Sequence, residues 1–269
     1  MKPLSRIPAA HLKRVKGVFT DVDDTLTTRG RFSASTLGAI EALLERGIKV
    51  VPVTGGPAGW CDHMARTWGI DAVIGEGGAF YFHLDRCTHR LIKRFWYDEA
   101  ERAGKRQMME AARDAVLAEL PGITLSSDQA YRELDLAIEL VNAKGLPLPD
   151  DLVADIMAML RRRGMNSKVS SIHLNAYFGE YDKLAMARVL AREMWQSDLE
   201  RDRDEWLFIG DSANDASMFE FFPLSVGVAN VRAIVAELPT PPRYVTQGEG
   251  GAGFVEMARA LLDAGAGQA

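Results

Sequence analysis

Cysteine, histidine and long apolar runs are all scarce in this chain. Its two cysteines, Cys61 and Cys87, cannot build a disulfide framework and have no metal-binding spacing, so reduced thiols in a cytoplasmic protein are expected. The five histidines are scattered and form no His-x-x-x-His pair, which gives zinc no ligand set. No stretch approaches the ~20 uninterrupted apolar residues of a membrane-spanning helix. Residues 1–16 carry charge without an apolar segment, so no secretory signal is expected. Positive charge is not in excess: 32 Lys and Arg against 37 Asp and Glu leave a formal charge of −5. That balance argues against non-specific binding to nucleic acid or to an anionic membrane. The basic run Arg161-Arg162-Arg163 fits the end of a helix, where cations favour the dipole. Internal repeats and coiled-coil heptads are missing too, and a monomer or homodimer is expected.

What the chain does hold is ordinary for a globular protein: 47% hydrophobic and 26% charged residues in a length of 269, enough for one large or two modest domains. A strand at 15–19 is followed by a helix that Ser33 or Ser35 can cap, with Leu37, Ile40, Leu43 and Leu44 at helical spacing and Gly47 at its end. A strand at 48–53, a helix at 58–68 and a short strand at 72–74 continue the alternation, which reads as parallel α/β. A hairpin is expected at 79–82 and 90–96. The pattern then changes to helices at 99–120 and 149–163 with strands at 123–126, 134–141 and 167–178, an α+β unit with an antiparallel sheet. A helix at 181–194, a strand at 206–209, a helix from 214, a strand at 224–228, a helix near 231–237, a strand at 244–245 and a last helix from 251 return to α/β. The simplest topology is one α/β domain interrupted by an inserted unit.

The stretch 15–28 is the most informative. Its apolar strand runs into Asp21, Asp23 and Asp24. Unpaired carboxylates are costly to bury, so an acidic cluster at a strand end needs solvent or a cation. Asp21 and Asp23 point the same way on a pleated strand while Val22 points opposite. A solvated Asp-rich turn and a Mg²⁺ site with an acid/base pair both fit, and this stretch alone does not separate them. Three further pieces fall at the ends of expected parallel strands or at a helix start: Thr54-Gly55, Lys183, and Asp211 with Asp215. Open α/β sheets place ligands there. Carboxylates for a divalent cation, a hydroxyl, a lysine and helix N-termini for an anion suit phosphoryl transfer.

In order along the chain, Asp21-Val22-Asp23-Asp24-Thr25, Thr54, Lys183 and Gly210-Asp211-Ser212-Ala213-Asn214-Asp215 resemble the four motifs of the haloacid dehalogenase (HAD) superfamily of phosphatases. The insertion between the second and third resembles the caps of the branch with the Cof-type sugar phosphatases, sucrose-phosphate phosphatase and mannosyl-3-phosphoglycerate phosphatase. The resemblance implies a Rossmann-like parallel-sheet core formed by residues 1–94 and 179–269, with an inserted α+β cap at 95–178. It implies that Asp21 attacks phosphorus to form an aspartyl-phosphate, and that Asp23 is the general acid and then the general base. Mg²⁺ would be held by Asp21, the backbone carbonyl of Asp23 and Asp211, with Asp215 supporting that shell or Lys183. Thr54, the Gly55 amide and Lys183 would neutralise the phosphoryl oxygens, and Asn214 would help to position phosphate or metal. The plainer alternatives are that Lys183 is a solvated first-turn residue, that Thr54 caps the next helix and that Asp215 favours its own helix N-terminus.

The chain departs from the family pattern at Gly56, where arginine is frequent, at Gly77, where asparagine is frequent, and at Asp24, which replaces a common glycine and reads as a turn residue. In the expected cap, Ser170, Ser171, His173 and Asn175 lie near a strand that returns to the core, the last three on one face. Contact with the leaving group, as sugar hydroxyls, and a merely polar sheet face are both open. The run Gly248-Glu249-Gly250-Gly251-Ala252-Gly253 lacks the Lys-[Ser/Thr] of a P-loop and reads as a turn into the last helix. The five tryptophans are scattered singly and read as core or boundary packing. The expected function is a Mg²⁺-dependent phosphatase acting on a small phosphorylated metabolite, a phosphosugar above all. A phosphomutase, or a non-catalytic metabolite-binding or regulatory protein on the same scaffold, is the alternative.

Overall fold

The computed structural model describes residues 1–142, 144–169 and 173–265. Six parallel strands form the central sheet, in the spatial order Lys2–Pro3, Tyr244–Val245, Leu224–Gly227, Trp206–Gly210, Gly17–Thr20 and Lys49–Pro52. The middle strands are apolar at most positions and buried throughout, as parallel strands covered on both faces must be. Successive residues serve opposite layers. Val18, Leu207 and Ile209 pack with Ile40, Leu43, Phe254 and Met257 of the helices Ala34–Glu45 and Gly250–Gly265. Phe19 and Phe208 pack on the other face with Met186, Leu190 and Met218 of the helices Lys183–Trp195 and Ala216–Phe221. Phe19 stacks on Trp206 with ring centroids 4.8 Å apart. A Cβ at Gly17 would stand 2.2 Å from that Trp206 ring, so glycine lets the indole cross the strand.

The expected third parallel strand behaves differently. Val73–Gly75 touches the central sheet through a single parallel bridge, Val53 to Ile74, and pairs antiparallel with Phe80–Asp85, which pairs in turn with Arg90–Phe95. The cause is the turn at Glu76–Gly78, whose three residues have φ of +45°, +65° and +118° and send the chain straight back. Gly78 is tight as well as left-handed, because a Cβ there would meet the Asp182 carbonyl oxygen at 2.1 Å.

A separate antiparallel sheet holds Asn166–Val169, His173–Tyr177 and Asp135–Glu139 in that order. Helices Glu99–Glu119 and Asp150–Arg162 cover it through Val116, Ile156 and Leu160. The segment expected as one strand at 167–178 is therefore two, paired from Asn166↔Tyr177 to Val169↔Leu174. Alternation identifies faces but not the point of reversal, and it continues in both strands. Ser170 and Ser171 lie outside the described residues. Residues 123–126 form no strand but a single bridge from Leu125 to Ile138, and 229–237 holds two short 3₁₀ turns in place of a helix.

Buried charge joins this α+β unit to the parallel-sheet layer. The Glu76 carboxylate accepts from Ala58 N at 3.0 Å, and across the junction from Glu133 N at 2.8 Å and Leu134 N at 2.6 Å. Burial and the nearby Asp135 charge push its pKa up to about 8, against the pull of those amides and Arg132. Arg132, with its side chain 1% exposed, binds Asp128 and Asp135 at 2.8–2.9 Å and donates to the Gly55 carbonyl at 3.0 Å. Replacing Arg132 by methionine leaves two carboxylates without their cation. The expected loss is about 3–5 kcal/mol of stability in urea unfolding; a loss below about 1 kcal/mol would refute this account of the junction.

Candidate active site

Strand register gathers the acidic residues. Ile209 pairs with Thr20, and Thr20 with Pro52, so the central strands end level with one another and Asp21, Asp211 and Thr54 emerge at one edge. Asp21 N donates to the Ile209 carbonyl at 2.9 Å, which holds the first acidic turn beside the last. Lys183 arrives from the start of its helix, whose N-cap Asp182 accepts from Ala185 N at 2.7 Å.

Lys183, Asp21, Asp211 and Asp215 meet in a buried cluster. Lys183 Nζ lies 2.6 Å from Asp21 Oδ1 and 2.7 Å from Asp215 Oδ1. The second Asp215 oxygen accepts from Asp211 N at 3.0 Å and Ser212 N at 3.2 Å, so both of its oxygens are committed to holding neighbours. Asp211 accepts from Thr25 Oγ1 at 3.3 Å and from Asn230 Nδ2 at 3.1 Å. Carboxylate oxygens of Asp21, Asp211 and Asp215 all lie within 4.8 Å of one another. Three carboxylates against one ammonium leave an excess of two negative charges in a buried space.

The titration behaviour reflects that excess. Burial pushes the Asp21 carboxyl well above the usual range, opposed by Lys183. Burial and the Asp215 charge take Asp211 up to about 7. Burial works against the charge on Lys183, but Asp21 and Asp215 outweigh it and hold its pKa above the ordinary value. Asp23 is half-buried, and burial raises its pKa as well.

The remaining residues singled out in the sequence lie around this cluster. Thr54 is buried and caps no helix; its Oγ1 accepts from Gly56 N at 2.8 Å, which leaves the hydroxyl hydrogen available. Gly55, Asn214, His173 and Asn175 line a cleft of about 650 Å³ with Asp21 and Asp23. Asn214 Oδ1 accepts from Ser212 Oγ at 3.0 Å. His173 and Asn175 share one face of their strand; Asn175 donates to Asp135 at 2.7 Å, and His173 Nε2 lies 3.6 Å from Glu139 Oε1. Asp24 has φ +53° and donates its N–H to Thr27 Oγ1, the conformation that makes glycine a natural occupant. The glycine run at 248–253 packs against the site's outer turn, with Gly250 N on Asn230 Oδ1 and Gly251 N on Thr28 Oγ1.

Four contributors escaped the sequence reading: Asn230, Thr25 as a partner of Asp211, Arg132, and Trp60. Thr25 stands inside the first acidic motif and Asn230 just past a strand end, so position could have signalled them. Arg132 and Trp60 carry no local signal. Trp60 is 50% exposed and lines the cleft, a boundary position and not a core one.

Three comparisons bear on this site. A family model described as haloacid dehalogenase-like hydrolase matches residues 18–94 and 173–240. A phosphoglycolate phosphatase of Methanoculleus marisnigri is 29% identical over 253 residues, covering 91% of this chain and 96% of that protein. One of Methanospirillum hungatei is 26% identical over 255 residues, with the same coverage. Among solved structures, the Thermoplasma acidophilum 0175 protein superposes with a TM-score of 0.68 at 19% identity, covering 92% of this chain and 98% of that one. The sucrose-phosphatase of Synechocystis, in complex with sucrose and phosphate, gives 0.66 at 15% identity, covering 93% and 98%. At such identities the structural likenesses speak for the fold alone.

The cluster makes one stability prediction. Asp215→Asn removes one of the two anions on Lys183 and can turn an amide N–H₂ toward the Asp211 and Ser212 amides. A loss of at least about 3 kcal/mol in urea unfolding is expected, and an unchanged midpoint would contradict the assigned geometry.

Proposed function

The chain belongs to the haloacid dehalogenase-like hydrolases, and on that premise we propose that it is a Mg²⁺-dependent phosphatase of a small phosphorylated metabolite, a phosphosugar above all. The observation that carries this reading is the pairing of Asp21, held at 2.6 Å by Lys183, with Asp23 two residues on and lining the same cleft. Burial raises the pKa of both carboxyls; the Lys183 ammonium in contact with Asp21 opposes that rise and favours the charged form a nucleophile needs, while the raised Asp23 suits the acid.

The donor set fits a hard divalent cation. It consists of oxygens only, and its excess of two negative charges is what Mg²⁺ would cancel. Asp21, Asp211 and the Asp23 carbonyl would hold the ion, while Asp215, both of whose oxygens are taken, positions Lys183 and the Asp211 loop. When bound, the cation withdraws charge from the phosphoryl oxygens. Asp21 attacks phosphorus and becomes the aspartyl-phosphate. Asp23 gives its proton to the departing alkoxide and takes one from the water that frees phosphate. The Thr54 hydroxyl, the Gly55 amide and Lys183 stabilise the charge on the phosphoryl oxygens. Residues 95–178 act as the cap over this cleft and shield it from bulk water. Support for a sugar comes from the Trp60 and Trp68 rings and from Asp128, Asn175 and Glu139 as hydrogen-bonding groups, all of which line the cleft. The cleft is larger than a two-carbon alcohol requires.

Phosphate release from a panel of phosphorylated metabolites, with Mg²⁺ or EDTA, tests the reading. Asp21→Asn is expected to lose at least about a thousandfold in kcat. Asp23→Asn should lose about 10²–10⁴-fold on alkyl phosphates but much less on p-nitrophenyl phosphate, whose leaving group needs no proton. Equal losses on both would remove Asp23 from the acid role. Phosphate appearing on a second position of the substrate would identify a mutase. The cation itself can be followed without turnover. Asp211, near 7 without a cation, holds a proton below that pH, and metal binding must displace it. Mg²⁺ should therefore raise Tm more at pH 8 than at pH 6; an equal rise at both would contradict the assignment.

A further inference from the structure

The lining of the cleft beyond the Asp21 cluster has an unusual charge. Beside Asp23, its ionisable side chains are Asp128, Arg132, Glu139, His63 and His173. Arg132 brings a guanidinium, but the carboxylates of Asp128 and Asp135 hold it on two sides at 2.8–2.9 Å and its side chain is 1% exposed. Its charge is spent on the protein. His173 faces Glu139 at 3.6 Å. With neutral imidazoles, this lining beyond Asp23, with Asp135 behind it, carries two negative charges in excess. Lys168, whose strand position pairs with Asn175, does not line the cleft itself but an adjoining cavity of about 30 Å³ that includes Lys183 and shares Gly55, Asn175 and Asn214 with the cleft. Residues 143, 170–172 and 266–269, which the structure leaves undescribed, contain no ionisable side chain, so they cannot supply a compensating cation. The apolar lining is Met64, Trp68 and the half-exposed Trp60, on which no ring stacks among the described residues.

We propose that this acidic lining selects a leaving group that is uncharged or cationic and discriminates against one that carries a carboxylate. The inference rests on the phosphatase reading and narrows its substrate class. Two like charges brought together in a partly desolvated cleft cost several kcal/mol, and no side-chain cation of this lining is left to offset a carboxylate. An alcohol with hydroxyls or an ammonium meets carboxylate acceptors instead, and its carbon skeleton meets an indole face. The two curated relatives carry the name phosphoglycolate phosphatase, and glycolate is a carboxylate. On this inference the present chain differs from them in what it releases.

Three phosphomonoesters of one size test the charge alone: 2-phosphoglycolate, 2-hydroxyethyl phosphate and O-phosphoethanolamine, at pH 8 with Mg²⁺, above the ordinary imidazole range. The neutral and cationic compounds should exceed phosphoglycolate in kcat/KM by at least about tenfold, about 1.4 kcal/mol, and the gap should shrink at high salt. Glu139→Lys should move the ratio toward phosphoglycolate by about fivefold or more. The same three compounds are titrated calorimetrically into Asp21→Asn protein, where the charge order is read without turnover. Phosphoglycolate as the best substrate, or a ratio that Glu139→Lys leaves unmoved, overturns the inference while the phosphatase reading stands. The expected charge order in binding, with no phosphate released from any compound or from p-nitrophenyl phosphate by the unaltered protein, upholds the inference and overturns the phosphatase reading.

Discussion

A lysine ammonium sealed between two carboxylates sets the arrangement of this molecule's working edge. Lys183 is 2% exposed, and its charge is tolerable there because Asp21 and Asp215 lie within 2.7 Å of it. The three residues come from segments far apart in the chain: the exit of the Gly17–Thr20 strand, the turn after the Trp206–Gly210 strand, and the start of a helix between them. The same Asp215 carboxylate that holds Lys183 also accepts the amides of Asp211 and Ser212. One buried ion pair thus determines where the nucleophile candidate points and how the neighbouring acidic loop is bent. The surplus negative charge left in the cluster is the physical reason a divalent cation suits it.

A second set of buried charges governs what lies over that edge. Glu76 receives amides from both sides of the junction, and Arg132 spans from Asp128 and Asp135 to the carbonyl of Gly55. Gly55 is the residue whose amide is proposed to receive phosphoryl oxygen, so the α+β unit and the anion-binding turn share a fixed reference. The strained turn at Glu76–Gly78 belongs to the same device. It reverses the chain, brings Glu76 inward and leaves Gly78 against the Asp182 carbonyl, one residue before Lys183. Using Arg132 in this way removes it as a substrate-facing cation, and the cleft's acidic character is the direct consequence.

The family pattern departs at three glycine-related positions, and the structure accounts for one of them fully. Asp24 takes the left-handed conformation that glycine adopts freely, and it is held there by its N–H to Thr27 and by its carboxylate on Arg29 N. Gly77 is left-handed too, so its lack of a side chain relieves the turn. Gly56 donates its amide to Thr54 Oγ1, and the Arg132 guanidinium lies on the adjoining Gly55 carbonyl.

Much of this was legible before any coordinates. Apolar runs ending in Asp21, Thr54 and Asp211 announced parallel strands with chemistry at their carboxyl ends, because burial on both faces demands uninterrupted apolar residues and the strand end is where a polar residue can escape. The capped helix after Ser33 and the helices over the second sheet followed from spacing of the same kind. Misreadings arose where non-local pairing decides. The alternation at 167–178 persists through a chain reversal, 123–126 has β-forming residues but only one bridge to pair with, and Val73–Gly75 turns back instead of extending the parallel sheet. The residue types of the site and their order along the chain were determined by the sequence itself, since carboxylates at strand ends are read locally. Which oxygen holds which proton donor, that Arg132 is consumed by Asp128 and Asp135, and that Trp60 faces the cleft were decided only by tertiary structure, because each depends on groups from different segments meeting in space.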